Sequence, residues 1–312
     1  MVMQKNKKYD IVGIGNAIVD LIAEVDDSYL EKNSINKGSM SLVDYDVANR
    51  IGNEVDIVKT ISGGSVANSI VCIAQQNLKT VFIGKVNQDE LGEKFAKGLA
   101  EENVEFKITK SLANKHTARC IILVSPDAER TMNTYLGVSQ ELTEEDVDLN
   151  IIEESSILYL EGYLWDLDNA KKAIKKSIST AINSETKIAF SISDAFCVDR
   201  FREEFIDLVN NSADIIFANE SEIKSLFETS ELETAIKKCQ DTKKIFAVTL
   251  GDKGAKIIYK NEIVNIKAEI IDKLVDTTGA GDLFAAGFLA EYIRSQDLES
   301  SGKEGVKMAS II

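Results

Sequence analysis

After residue 140 the sequence alternates apolar runs of strand length with stretches of helical period, and this alternation limits the possible folds more than any other feature. The runs fall at 157–160, 188–191, 215–218 and 246–250, with helical stretches such as 170–182 and 221–227 between them. That order predicts a mostly parallel sheet with helices on both faces. Upstream, 11–14 and 81–83 read as buried strands and 65–76 and 90–101 as helices, the first helix carrying Val66, Ile70, Ile73 and Ala74 along one side. Residues 256–266 read as a hairpin turning at Lys260, Asn261 and Glu262.

Two β-rich insertions interrupt this α/β series. One holds an apolar alternation at 19–25 and then turns, such as Lys37-Gly38, mixed with short strand-like pieces as far as 60. The other holds pieces at 106–108, 118–124 and 131–135. Two insertions of similar character can meet as one small sheet. The expected division is an α/β core from 1–16, 57–106 and 138–312, with a β lid from 17–56 and 107–137. The 312 residues suffice for a large α/β domain with an appendage, and the single proline, Pro126, leaves no proline-rich linker.

A net charge of −15 argues against a nucleic-acid binder, which needs a basic footprint. Cys72, Cys120, Cys197 and Cys239 show no Cys-x-x-Cys spacing, so neither a zinc site nor a disulfide framework is expected, and a cytoplasmic location is. The only histidine, His116, stands alone and reads as a surface or loop residue, which disfavours catalysis by a histidine pair or triad. The first apolar run carries Asn16 and Asp20 and is too short and broken for a signal peptide or membrane span, and no membrane partner is expected.

The chemistry concentrates at Asp276-Thr277-Thr278-Gly279-Ala280-Gly281-Asp282, just ahead of an apolar helical stretch. Two glycines flanking an alanine before a helix make a concavity of unused N–H groups, reinforced by the helix dipole, that suits a phosphoryl group. Asp282 alone would read as an N-cap. Beside an anion hole, an ionised carboxylate suits transfer of a phosphoryl group to a hydroxyl that it deprotonates. This heptad resembles the second signature of the ribokinase-like (PfkB) carbohydrate kinase family. The resemblance implies Asp282 as catalytic base, Gly279, Ala280 and Gly281 as the anion hole, and Thr277 among the nucleotide-binding residues. It also implies a ribokinase-like three-layer core with a β lid, closing to exclude water so that ATP is not simply hydrolysed.

Gly13-Ile14-Gly15-Asn16-Ala17-Ile18-Val19-Asp20 invites a dinucleotide reading, but the third glycine is missing and strand rather than helix follows. Asn16 and Asp20 instead face the crevice at the carboxyl end of the first strand, where a carboxylate can accept hydrogen bonds from neighbouring sugar hydroxyls. Asp20 as a turn or surface residue is the plain alternative. Ser62-Gly63-Gly64-Ser65-Val66-Ala67-Asn68-Ser69 is a second glycine-rich junction. It is similar to the family's first signature, in which the diglycine and the Asn bind the sugar. Ribokinases usually carry Gly-Gly-Lys here and adenosine kinases Gly-Gly-Ser, so Gly63, Gly64, Ser65 and Asn68 match the second pattern. The stretch 84–92 resembles the rest of that signature, with Asn87 in place of a usual glycine.

Asn219 and Glu222 stand three apart at a helix start, and hard oxygens there suit Mg²⁺, often through water. Capping of the helix, with Ser221, explains them equally well from the residues alone. The resemblance implies the first role, since the family carries Asn-x-x-Glu near the metal and phosphates. Thr249, Gly251 and Gly254 end another strand in a tight turn, where the family places ATP. No Walker-type P-loop is present. Arg119 and Arg130 lie in the lid, and neither is expected to be catalytic. Family members usually run on beyond the helix after Asp282 to line the nucleotide pocket and, in some, a monovalent-cation site, so K⁺ is a further candidate. The chain is expected to be naturally short there or to lack a tail.

The expectation is an ATP- and Mg²⁺-dependent kinase acting on a primary hydroxyl of a ribose-containing substrate, with a nucleoside, adenosine first, ahead of the alternatives. Those are a free-sugar kinase for ribose, fructose or 2-keto-3-deoxygluconate, and a non-catalytic sugar or nucleoside binder. The chain is expected to be a monomer or a lid-mediated homodimer.

Overall fold

The computed structural model describes residues 7–111, 115–269 and 279–311. The strands are β1 (Tyr9–Ile14), β2 (Ile18–Glu24), β3 (Met40–Leu42), β4 (Ile57–Gly63), β5 (Thr80–Asn87), β6 (Glu105–Ser111) and β7 (Ala118–Val124), then β8 (Arg130–Tyr135), β9 (Ser155–Glu161), β10 (Lys187–Ser191), β11 (Ile215–Asn219), β12 (Ile245–Thr249), β13 (Ala255–Tyr259) and β14 (Glu262–Ile266). The helices are α1 (Asp27–Lys32), α2 (Tyr45–Glu54), α3 (Ser65–Gln75), α4 (Glu90–Glu101), α5 (Leu149–Glu153) and α6 (Asp168–Asn183), then α7 (Ala195–Asn211), α8 (Glu220–Leu226), α9 (Leu232–Thr242), α10 (Ala280–Ser295) and α11 (Leu298–Ala309).

Nine strands form one sheet in the order β14-β13-β12-β11-β10-β9-β1-β5-β6, parallel from β12 through to β6. The β13–β14 hairpin closes one side antiparallel, as the turn at Lys260 implies. Successive side chains leave opposite faces of a strand. In β1, Val12 and Ile14 accordingly join one core with Leu158, Phe190, Ile216 and Val248, while Ile11 joins the other with Tyr159, Phe217, Phe284 and Phe288. Helices α5 to α9 cover the first face and α3, α4, α10 and α11 the second. The chain leaves β1 toward β5 on one side and β9 on the other, so strand order reverses at its carboxyl end. Ligands of open α/β sheets bind at such a reversal.

The second sheet has the order β3-β8-β7-β2-β4. It carries the expected lid strands, with three corrections. The stretch after residue 26 holds two helices as well as strand. In α2 the side chain of Asp44 accepts from Val47 N at 2.8 Å, and Ala48 and Ile51 are buried three residues apart, a helical spacing. The division at residue 56 shifts, because β4 pairs antiparallel with β2, Asp20 lying opposite Ile61. The division at 107 cuts β6, which pairs with β5 in the large sheet.

Helix α11 follows α10, beyond where the sequence reading ended the helical series, and packs closely on it. A Cβ on Gly287 would lie 2.6 Å from Glu304 O, and one on Gly305 would lie 3.0 Å from the Phe284 ring. His116 does have partners. Its ring stacks on Tyr45 at 4.1 Å between centroids, and its Nδ1 lies 3.8 Å from Asp89. All four cysteines are buried and free. No helix among the described residues is long and apolar enough to cross a membrane.

Candidate active site

The site is assembled where α3 and α10 begin. Gly279 takes a left-handed φ of +83° and turns the chain into α10. The first helical bond runs from Leu283 N to Gly279 O, 2.9 Å, so the N–H groups of Ala280, Gly281 and Asp282 precede the helix's own bonding. A Cβ on Gly281 would meet nothing within 4 Å, leaving room for a ligand against this backbone. Gly64 caps α3 with φ +106°, and a Cβ there would collide with Asn16 O. Glycine is therefore required where the two sheets join.

Asp282 is held by α3. Ser65 Oγ donates to its Oδ1 at 2.6 Å, Asn68 Nδ2 to its Oδ2 at 3.1 Å, and Ser69 Oγ to its backbone oxygen at 2.9 Å. Burial raises the Asp282 pKa to about 6, against the two side-chain bonds, which lower it. The carboxylate is thus ionised at neutral pH and more basic than an exposed one, as a general base requires. Removing the Ser65 hydroxyl removes one of the bonds that favour the ionised form. Ser65→Ala is expected to move the acid limb of the pH–kcat profile upward from about 6, and a limb left in place would show that Ser65 does not tune Asp282.

A cleft of about 260 Å³ opens beside Asp282 at the carboxyl ends of β10, β11 and β12. Ser65, Gly279, Gly281 and Asp282 line one side and Asn219, Glu222 and Thr249 the other, the last strand positions Asn219 and Thr249 being register partners. The expected substrate residues lie toward the small sheet. A Cβ on Gly63 would run into the Asp20 carboxylate, and burial pushes the Asp20 pKa up to about 7, opposed by the Arg130 charge and aided by that of Asp282.

Several expected residues are engaged differently from the sequence reading. Asn16 is buried, with its backbone N and its Nδ2 both donating to Glu161 Oε1 at 2.8 Å, while its Oδ1 is buried without a partner. Glu222 forms a capping box. Its Oε2 accepts from Asn219 N at 2.9 Å and its Oε1 from Asn219 Nδ2 at 2.6 Å, while Ser221 Oγ donates to Asn219 Oδ1. Each carboxylate oxygen thus accepts one hydrogen bond from the cap and keeps a lone pair that a water on a metal could use. Gly251 and Gly254 do not line the cleft. Gly254, at φ +88°, packs against the Ile266 carbonyl and donates its N–H to Gly251 O at 3.0 Å, which closes the turn. Thr277, Asp276 and Thr278 lie outside the described residues.

Other residues of the site carry no clear sequence signal. Tyr163 and Ser193 line the cleft, and Ser193 has φ +79°, an uncommon conformation for a residue with a side chain. Glu161 is fully buried and accepts three hydrogen bonds. Its only signal in the sequence is a carboxylate ending an apolar strand before Gly162.

Comparisons with known proteins agree with this arrangement. The family model for pfkB family carbohydrate kinases matches residues 10–312. The structure of an adenosine kinase from Sinorhizobium meliloti superposes with a TM-score of 0.91 at 40% identity, covering 98% of this chain and 94% of that one. A probable sugar kinase from Rhizobium etli CFN 42 gives a TM-score of 0.91 at 38% identity, covering 98% and 93%. Among curated relatives, an adenosine kinase of Saccharomyces cerevisiae is 26% identical over 96% of this chain and 94% of its own length.

Proposed function

The chain belongs to the pfkB family of carbohydrate kinases, enzymes that transfer phosphate from ATP to a hydroxyl, and we propose that its acceptor is the primary hydroxyl of a nucleoside, adenosine first. The observation that carries this reading is the bond from Ser65 to Asp282. The residue after the diglycine is a serine bound to the catalytic carboxylate at 2.6 Å, in the place where ribokinase-type members usually carry a lysine. The similarity to the Sinorhizobium meliloti adenosine kinase supports the same choice.

In the proposed reaction Asp20, Gly64 and Asn68 position the sugar and its primary hydroxyl lies at Asp282. Asp282 takes the hydroxyl proton as the oxygen attacks the terminal phosphorus of ATP. The new O–P bond forms as the bond from that phosphorus to the bridging oxygen breaks, and ADP leaves. The α10 N-terminus at Gly279, Ala280 and Gly281 directs its free N–H groups at the transferring oxygens, where preorganised donors contribute most. Asp282 then returns its proton to solvent.

Mg²⁺ suits the rim of this cleft. Burial pushes the Glu222 pKa up to about 7, the Asn219 N–H opposes this and the charge of Asp194 adds to it, and a cation beside the carboxylate would favour its ionised form. A magnesium ion carried by phosphates needs only one or two protein carboxylates. Asn219 and Glu222 would hold it through water, and it would neutralise charge on the phosphates.

A free-sugar acceptor is the second reading, favoured by the similarity to the probable sugar kinase of Rhizobium etli. ADP production with Mg²⁺–ATP against adenosine, inosine, guanosine, ribose, fructose and 2-keto-3-deoxygluconate separates the two. The expected result is the highest kcat/KM on adenosine. Turnover on a free sugar alone would retain the phosphotransfer chemistry and remove the nucleoside.

A further inference from the structure

We infer that Glu161 is a positioning residue that sets the base Asp282 through α3, a proposal that rests on the functional reading above. Its carboxylate lies at the end of β9, wholly buried. One oxygen accepts from both nitrogens of Asn16 at 2.8 Å, fixing the link from β1 to the small sheet. The other accepts from Val66 N at 3.0 Å, an N–H in the first turn of α3 that the helix itself cannot satisfy. The neighbouring Ser65 and then Asn68 hold the two oxygens of Asp282. Glu161 thus ties together three elements that meet beneath the base, and it touches no reacting atom.

The Gly13-x-Gly15 pair, unexplained by any phosphate-binding role, fits the same arrangement. A Cβ on Gly15 would lie 2.9 Å from Glu161 Oε2 and 2.8 Å from Val66 Cβ. One on Gly13 would lie 2.6 Å from side-chain carbons of Val66 and Ile70. Both glycines clear the space that lets α3 approach β1 and the Glu161 carboxylate reach its N-terminus. A carboxylate here, with two oxygens, serves donors on two sides at once, which a hydroxyl or a shorter acid cannot do from β9.

The test is steady-state kinetics on Glu161→Asp, Glu161→Gln and Ser65→Ala, singly and combined, below the melting range of each variant, with adenosine as acceptor. Glu161→Asp keeps the charge and withdraws it by one methylene. It is expected to lower kcat between tenfold and about 100-fold, as small misplacements do, and to raise KM for adenosine while leaving KM for ATP unchanged. Glu161→Gln keeps the length but sets an NH₂ against a donor on one of the two sides, so it is expected to break one link and also to lower kcat at least tenfold. Because both changes act on one path, Ser65→Ala should cost less in the Glu161→Asp background than in the wild type. If Glu161→Asp does not fold, the Glu161→Gln and Ser65→Ala cycle carries the same test. Folded Glu161 variants with wild-type kcat and KM, or effects fully additive with Ser65→Ala, would overturn the inference while the wild type stays active. A wild type without acceptor-dependent turnover would remove the functional reading and the inference together.

Discussion

Asp282→Asn is expected to lower kcat by about 10²–10⁴, the usual worth of a positioned general base, while raising thermal stability at pH 8. The two effects share one cause. Burial raises the Asp282 pKa to about 6 from an ordinary value of 3.8, so the folded chain holds this proton more tightly than the unfolded chain does. The contribution of Asp282 to stability therefore falls as pH rises from about 4 to about 6, and the ionised group weakens the fold at every higher pH. A neutral amide removes that penalty. Ser65 can still donate to the amide oxygen, and Asn68 can turn its own oxygen toward the new NH₂ group. A gain of about 2–4 °C in Tm at pH 8 is the expected size, closing below pH 4. Lost activity with lost stability would instead mean that Asp282 serves the fold.

Gly64→Ala should have the second large effect, and on both stability and activity. At φ +106° a side chain is strained by about 1–3 kcal/mol, and the new Cβ would also be driven into the Asn16 carbonyl. The chain cannot relieve this without moving Ser65, so Tm should fall and KM for the acceptor should rise. Gly52→Ala is the control. Gly52 lies inside α2 with open space around its missing Cβ, so alanine there should stabilise by about 0.5–1 kcal/mol through helix propensity and leave kinetics unchanged. Thermal melts of the two variants side by side would show opposite shifts, and a harmless Gly64→Ala would mean that this junction tolerates rearrangement.

The local backbone of the candidate site was legible in the sequence. A glycine-alanine-glycine turn before a helix leaves N–H groups that the helix does not use, and Gly64 before α3 adopts a φ of +106° that side chains resist. The parallel core was legible because its strands are buried on both faces and so read as unbroken apolar runs. Glu161 was illegible because its partners lie 145 and 95 residues away in the chain, and nothing local marks a strand-ending carboxylate as buried. Glu222 could be read as a cap or as a metal-facing group because both demand an acid at the third helical position, and the structure has it capping. Helix α2 was missed because its buried face is narrow, with only Ala48 and Ile51 fully covered. All of β4 and the end of β6 fell on the wrong side of the division because strand pairing, which decides sheet membership, is not a property of either segment alone.

The pH dependence of kcat for adenosine phosphorylation by the wild type, with Asp282→Asn beside it, tests the central claim most directly. The account predicts a rate that falls on acidification through about pH 6, as Asp282 takes up its proton, and a residual rate in the variant that lacks this limb. A wild-type rate unchanged from pH 8 to pH 5, or a variant that keeps the same limb, would contradict it.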